Sequence, residues 1–279
     1  MDFPFAKKSL GQNFLTSTKA LSDIISAAEV QPGDEVLEVG PGRGVLTAEL
    51  LKKGARVTAI EKDTALTELL KEMFAKEIEN GQLEIIEGDV LLFDLVAYVA
   101  KLKKGPYKLI ANIPYYITGQ IFRMFLEGGH GRLEDALQVH QVQPISMTIL
   151  VQKEVAERVI ARDKKESILS MSVKVYGTPR IVSVVKRGSF NPAPNVDSAI
   201  LHISGISKNF FTSHSIDEKT FFEVLKASFA HKRKIISKNL IEKGLKHSDS
   251  INPKARAEDL SIEDFALLTQ ANHVWLSQS

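Results

Sequence analysis

Residues 35–44 read EVLEVGPGRG, a short apolar run closing on three glycines and a proline. The next ten residues, VLTAELLKKG, have amphipathic helical spacing and end on Gly54. A brief apolar run bounded by glycine reads as a strand, and a helix commonly closes on a glycine. The same alternation recurs outward from this stretch. Apolar runs RVTAIE (56–61), LEIIEGD (83–89) and YKLIAN (107–112) are separated by TALTELLKEMFAKEIENG and by a segment around LLFDLVAYVAKLKKG. Strands alternating with helices predict βαβ units, hence an α/β fold with a doubly wound parallel sheet. Further strands are expected at MTILV (147–151), RIVSVVKRG and SAILHIS, with QKEVAERVIAR as a helix after the first of them.

Beyond residue 205 the pattern changes. KNFFTSHSIDEKT reads as a linker. KTFFEVLKASFAHKRKIISKNLIEKG and SIEDFALLTQAN read as helices, the second opening on Ser261 and Asp264 at capping-box spacing. The expectation is a catalytic domain over 1–205, with an N-terminal arm over 1–20, and a helical domain over 206–279. Residues 127–144, rich in Gly, His and Gln, read as an exposed excursion.

The 279 residues carry a net charge of only +2, so nucleic-acid binding has to be argued from local clusters. There are no cysteines, which excludes disulfides and thiol nucleophiles. The N-terminus MDFPFAKKSL lacks the apolar core of a signal peptide, and no run approaches a membrane span. A soluble, cytoplasmic protein is expected. The histidines show no metal spacing, so no metal is expected; His130 and His140 read as surface residues.

In a doubly wound sheet, ligands bind where the carboxyl ends of the strands open into a crevice. Here those ends carry Gly40, Glu61, Asp89 and Asn112. The turn Gly40-Pro41-Gly42-Arg43-Gly44 lets backbone approach a ligand closely. Glu61 is placed to accept ribose hydroxyls, and Asp89 an adenine amino group. Taken singly, the glycines are a tight turn, Asp89 a helix cap and Glu61 a helix start; taken together they suit an adenosine. The nicotinamide pattern G-x-G-x-x-G and the phosphate-binding G-x-x-x-x-G-K-[ST] are both missing. S-adenosylmethionine, with adenosine and no phosphate, fits best.

LEVGPGRGVLT, AIEKD, EGDV and NIPYYI together resemble the successive motifs of class I methyltransferases acting on adenine N6 in RNA. KKSLGQNFL (7–15), FNPAPNVDSAI (190–200), FAHKRKIISKNL and RAEDLS extend that resemblance to the ribosomal RNA adenine dimethyltransferases of the KsgA type. It runs from about residue 7 to residue 269. It implies a Rossmann-like S-adenosylmethionine-dependent domain with a small all-helical C-terminal domain. It implies cofactor contacts at Asn13, Leu15, Gly40, Gly42, Glu61, Asp89 and Asn112. Tyr116 stands where the family often has Asn, and Asn195 where Lys is common.

The adenine N6 lone pair is delocalised into the ring, so the amine needs help to become a nucleophile. Asn112 and a main-chain carbonyl around Ile113–Pro114 would draw its N–H bonds toward tetrahedral geometry. Tyr115 would stack on the base and Phe190 would close the opposite face. An Asn-Pro turn with core tyrosines is the plainer alternative. Lys226, His231, Lys232, Arg233, Lys234 and Lys238 are expected to share one helix whose basic side meets phosphates, joined by Lys7 and Lys8 from the arm. A solvated helix face is the alternative there.

The activity implied is dimethylation of two adjacent adenines near the 3′ end of small-subunit RNA, within a partly assembled subunit, by a monomer. The alternatives are a macrolide-resistance methyltransferase acting on large-subunit RNA, or a ribosome-assembly or transcription factor on the same fold without catalysis.

Overall fold

The computed structural model describes residues 4–7, 10–102, 105–128, 142–231 and 233–276. Lys8, Lys232, His130, His140 and most of the excursion expected at 127–144 lie outside them.

Seven strands form one sheet: β2 (Glu35–Val39), β3 (Arg56–Glu61), β4 (Leu83–Glu87), β5 (Tyr107–Asn112), β6 (Ser146–Gln152), β7 (Thr178–Val185) and β9 (Ser198–Ser204). Their order is β4-β3-β2-β5-β6-β9-β7. The first five in that order run parallel, and β9 lies antiparallel to β6. A two-residue strand β1 (Phe14–Leu15) pairs separately with β8 (Phe190–Asn191). Helices α1 (Thr18–Ala28), α2 (Val45–Lys52), α3 (Thr64–Met73), α4 (Ala75–Glu79), α5 (Leu95–Lys101) and α6 (Thr118–Glu127) occupy the connections and the N-terminal flank. The helix expected after β6 forms as α7 (Lys153–Val159). Val36, Leu37, Leu109, Ile110, Ile149, Leu150, Ile200 and Leu201 are fully buried, so the central strands are mainly apolar, as suits strands covered on both faces, with Glu38, Thr148 and His202 as buried polar exceptions.

The sheet reverses its winding between β2 and β5, which places the ligand crevice outside their carboxyl ends. The register makes these ends level. Val39 pairs with Ile60 on one side and Ala111 on the other, so Gly40, Glu61 and Asn112 follow at the same height. Glu61 pairs in turn with Glu87, two residues before Asp89.

The chain divides into two compact units, residues 1–156 with 180–206 and residues 157–179 with 207–279. The second unit is therefore not the contiguous tail expected from 206 onward. It includes α8 (Ile168–Lys174), because that segment carries apolar groups with partners there: the Tyr176 ring lies 5.6 Å from Phe211 and 6.2 Å from Phe222. The stretch expected as a linker holds a short helix, α9 (Asn209–Ser213), and buries Phe211.

The long basic helix expected over 219–244 is broken. Helix α10 ends at Ser228 (Glu218–Ser228) and α11 begins at Ile236 (Ile236–Glu242). Asn239, fully buried, donates to the carbonyls of Ser228 and His231 at 2.7 and 3.2 Å. It thereby caps the open end of α10 and stabilises the break. The expected capping box does form at α12 (Ile262–Leu276): Ser261 Oγ accepts the Asp264 N–H at 3.1 Å and Asp264 Oδ2 accepts the Ser261 N–H at 2.9 Å.

Candidate active site

At the carboxyl end of the sheet, in the first unit, lies a cavity of about 470 Å³. Its lining includes Asn13, Leu15, Gly40, Gly42, Glu61, Asp89, Asn112, Ile113, Pro114 and Tyr115. Every residue expected at the cofactor and every member of the Asn112–Tyr115 turn therefore reaches one space.

Gly40 has φ +71°, and a Cβ built there would sit 3.0 Å from the Asn112 carbonyl oxygen. Only glycine allows β2 and β5 to close so tightly at the point of divergence. Gly42, at φ +59°, is covered by Phe14: a Cβ would meet that ring at 3.1 Å. The guanidinium of Arg43 lies 4.5 Å from the same ring's centre, a cation–π contact.

Glu61 is 6% exposed, and its two oxygens accept the backbone N–H of Gly42 at 3.1 Å and of Asp63 at 2.9 Å. Burial pushes its pKa up, while those N–H groups favour the ionised form. The helix after Glu61 starts at Asp63, not at Glu61 itself: Asp63 accepts the Ala65 N–H at 3.1 Å. Asp89 acts as the cap its position allows and also takes part in an ion pair. One oxygen accepts the Leu91 N–H at 3.0 Å, capping the short turn Val90–Leu92, and the other accepts Lys62 Nζ at 2.8 Å. The Lys62 ammonium holds the Asp89 carboxyl below its ordinary range.

Asn112 Nδ2 donates to the Asn13 carbonyl at 3.4 Å, which turns its amide so that Oδ1 is the group left to accept. The Pro114 carbonyl accepts the Ile117 N–H at 3.2 Å, closing the turn Tyr115–Ile117. Tyr115 Oη lies 2.6 Å from Ser198 Oγ.

Two expected roles change. Phe190 does not line the cavity: it is 5% exposed, paired with Leu15 in the β1–β8 ladder, and belongs to the same apolar cluster as Val185 and Ile200. Its ring is drawn into the core by that ladder. Lys7 is not an outstretched phosphate ligand either. Its ammonium pairs with the buried Asp63 at 2.7 Å, where Gln12 also donates at 3.0 Å. Of the basic set in the second unit, Lys226, Arg233 and Lys238 are exposed, while His231 and Lys234 are paired with Glu242 at 3.0 and 2.9 Å. Those two partners hold the Glu242 carboxyl down to about 2.

Sequence reading missed Lys62, Val90, Leu91, Tyr116 and Gln120 on the cavity wall. Lys62, Val90 and Tyr116 directly follow expected site residues, and that adjacency was the available signal. No group of three or more metal-ligating side chains occurs among the described residues, and no helix there is long and apolar enough to cross a membrane.

Residues 5–272 match the family model described as ribosomal RNA adenine dimethylase. The ribosomal RNA small subunit methyltransferase A of Dehalococcoides mccartyi (strain BAV1) is 39% identical, over 94% of this chain and 87% of that protein. The protein of that name from Clostridioides difficile (strain 630) is 38% identical, over 96% and 91%. A dimethyladenosine transferase from Plasmodium falciparum superposes with a TM-score of 0.71 at 25% identity, covering 93% of this chain and 97% of that one. The 23S rRNA methyltransferase ErmE shares the fold, with a TM-score of 0.67 at 23% identity. With level strand ends, a glycine turn and the Asn-Ile-Pro-Tyr-Tyr segment meeting in one cavity, and a family match over nearly its whole length, this chain belongs to the ribosomal RNA adenine dimethylase family.

Proposed function

We propose that this chain transfers methyl groups from S-adenosylmethionine to N6 of two adjacent adenines near the 3′ end of small-subunit ribosomal RNA, giving N6,N6-dimethyladenosines. The observation that carries this reading is the meeting of the Asn112–Tyr115 turn with Gly40, Glu61 and Asp89 around one cavity. The cavity suits the cofactor chemically. Glu61 is a buried acceptor of the kind ribose hydroxyls require, the Gly40 turn leaves no side chain in the way, and Asp89 can accept from an adenine amine.

When bound, S-adenosylmethionine supplies an electrophilic methyl: the N6 lone pair forms the new N–C bond as the S–C pair returns to sulfur, and the nitrogen then releases one proton to solvent. The protein's own part is orientation. Asn112 Oδ1 accepts one N6 N–H, and a main-chain carbonyl of Ile113–Pro114 accepts the other, so the lone pair turns out of the ring plane toward the methyl carbon. The Pro114 oxygen already holds the Ile117 N–H, which fixes its direction before substrate arrives. Tyr115 offers the stacking face. Catalysis then rests on holding two reactants in line and excluding water.

The substrate adenines are presented by a partly assembled small subunit in the cytoplasm, and a monomer suffices, since the first unit alone contains the whole cavity. Arg233 and Lys238 of the helical second unit serve RNA phosphates. Mass spectrometry of RNA digested after reaction tests the assignment. Dimethyladenosine in the small-subunit RNA is the expected product. Labelling confined to large-subunit RNA would replace the substrate and leave the chemistry intact, whereas no methylated adenine on either RNA would remove the reading itself.

A further inference from the structure

Tyr115 is half-buried on a three-residue turn, tied there by the Thr118 hydroxyl, which donates to its carbonyl at 2.9 Å. With Phe190 drawn into the core, the outer end of this ring is fixed among the described residues by the 2.6 Å hydrogen bond between its hydroxyl and Ser198. Ser198 is unusually well held. It is 0% exposed, it is the first residue of β9, and it pairs with Gln152 across the β6–β9 ladder. The residue before it is pinned three times. The Asp197 carbonyl accepts the Lys153 N–H at 3.0 Å, Oδ1 accepts the Arg187 N–H at 3.0 Å, and Oδ2 pairs with Lys186 at 2.9 Å. The Ser198 hydroxyl is thus a rigid post on the sheet, and the tyrosine is a hinged plate fastened to it.

We infer that Ser198 is a positioning residue for methyl transfer, acting through the Tyr115 hydroxyl, and that it matters more for the second methyl than for the first. This rests on the proposed adenine-N6 activity. An unmodified amine offers two N–H bonds, and the two acceptors at Asn112 and Ile113–Pro114 can orient it between them. The monomethylated amine offers one. Half of the polar alignment is gone, and the plane of the base then depends on the aromatic wall it lies against. A ring free to rotate about its Cα–Cβ and Cβ–Cγ bonds would still give contact area but would no longer define that plane. The bond therefore supports completion of the dimethyl product.

Single-turnover methylation of partly assembled small subunits, with mono- and dimethyladenosine resolved over time by mass spectrometry, separates the two transfers. Ser198→Ala is expected to slow the second transfer at least about tenfold and the first only severalfold, so that monomethyladenosine accumulates. Tyr115→Phe, which removes the other half of the same bond and leaves the buried serine in place, should give the same pattern. The double variant should be no worse than either single one, because one shared bond can be lost only once. Cofactor affinity, read by calorimetry, should not move. Equal slowing of both transfers, no slowing at all, or losses that multiply in the double variant would reduce the bond to ordinary core satisfaction. Wild-type protein that makes no methylated adenine would overturn the underlying activity as well.

Discussion

Glu61 and Glu38 are both buried carboxyls at the strand ends, yet their surroundings differ completely. Glu61 is met by two backbone N–H groups. In the proposed site, replacing it with Ala would leave the ribose hydroxyls without an acceptor, and S-adenosylmethionine binding should weaken by about 1–3 kcal/mol in a titration calorimeter. Unchanged affinity would remove Glu61 from the site. Glu38 is 1% exposed and faces Thr47 instead of a pair of strand-end N–H groups. Burial raises its pKa from 4.5 to about 8, with the nearby Thr47 hydroxyl opposing. A carboxyl whose folded pKa exceeds its unfolded one binds extra protons in the folded state, so its contribution to stability falls as pH rises between those two values. Glu38→Gln cannot titrate. Its melting temperature should exceed that of the wild type increasingly from pH 5 to pH 8, and a constant difference would show that Glu38 is ionised at no cost. At Gly40, Ala would force both a positive φ and a 3.0 Å contact on the Asn112 carbonyl; cofactor binding and stability should both drop. Glu61 and Asn112 were legible because strand ends in this fold have a known use. Lys62 against Asp89, or Ser198 against Tyr115, was not, because those pairs are 27 and 83 residues apart in the chain.

At the scale of elements, the break between α10 and α11 decides which charges the proposed RNA contact can use. A continuous helix would have spread the consecutive residues His231 to Lys234 around its circumference. The break instead brings His231 and Lys234 onto Glu242, while Lys226, Arg233 and Lys238 stay exposed. Arg233→Ala with Lys238→Ala should therefore weaken RNA binding and flatten its log–log salt dependence by about 0.7–0.9 for each phosphate that is no longer neutralised. Lys7→Ala should leave that slope unchanged, since Lys7 is already committed to Asp63. Filter binding across a salt series reads both. The alternation of strands and helices was legible from β2 to β5 because period and glycine punctuation agree there, whereas α1, α6 and α8 were not read. The break was not, because SFAHKRKI contains neither proline nor glycine, and its cause is a buried Asn239 reaching back to α10 from eleven residues away.

At the scale of the molecule, the proposed substrate is the sharpest commitment. A partly assembled small subunit should accept up to four methyl groups, two on each of two neighbouring adenines, and naked large-subunit RNA essentially none; counting methyls per RNA by mass spectrometry decides it. The family was legible because its motifs span both units, whereas the division into units was not. Residues 157–179 continue the sheet-forming part in sequence yet pack with the helical one. The level strand ends have one more consequence. Five segments that are distant along the chain contribute to the same cavity, four of them at strand ends, so a cofactor molecule touching all of them binds only when the parallel sheet is intact, and its binding energy is added to that sheet's resistance to opening. At a hundred times its Kd this linkage amounts to about 2.7 kcal/mol. Amide hydrogens in β2, β3, β4 and β5 should then exchange more slowly by a common factor, making the cofactor a clamp on the fold as well as a reagent.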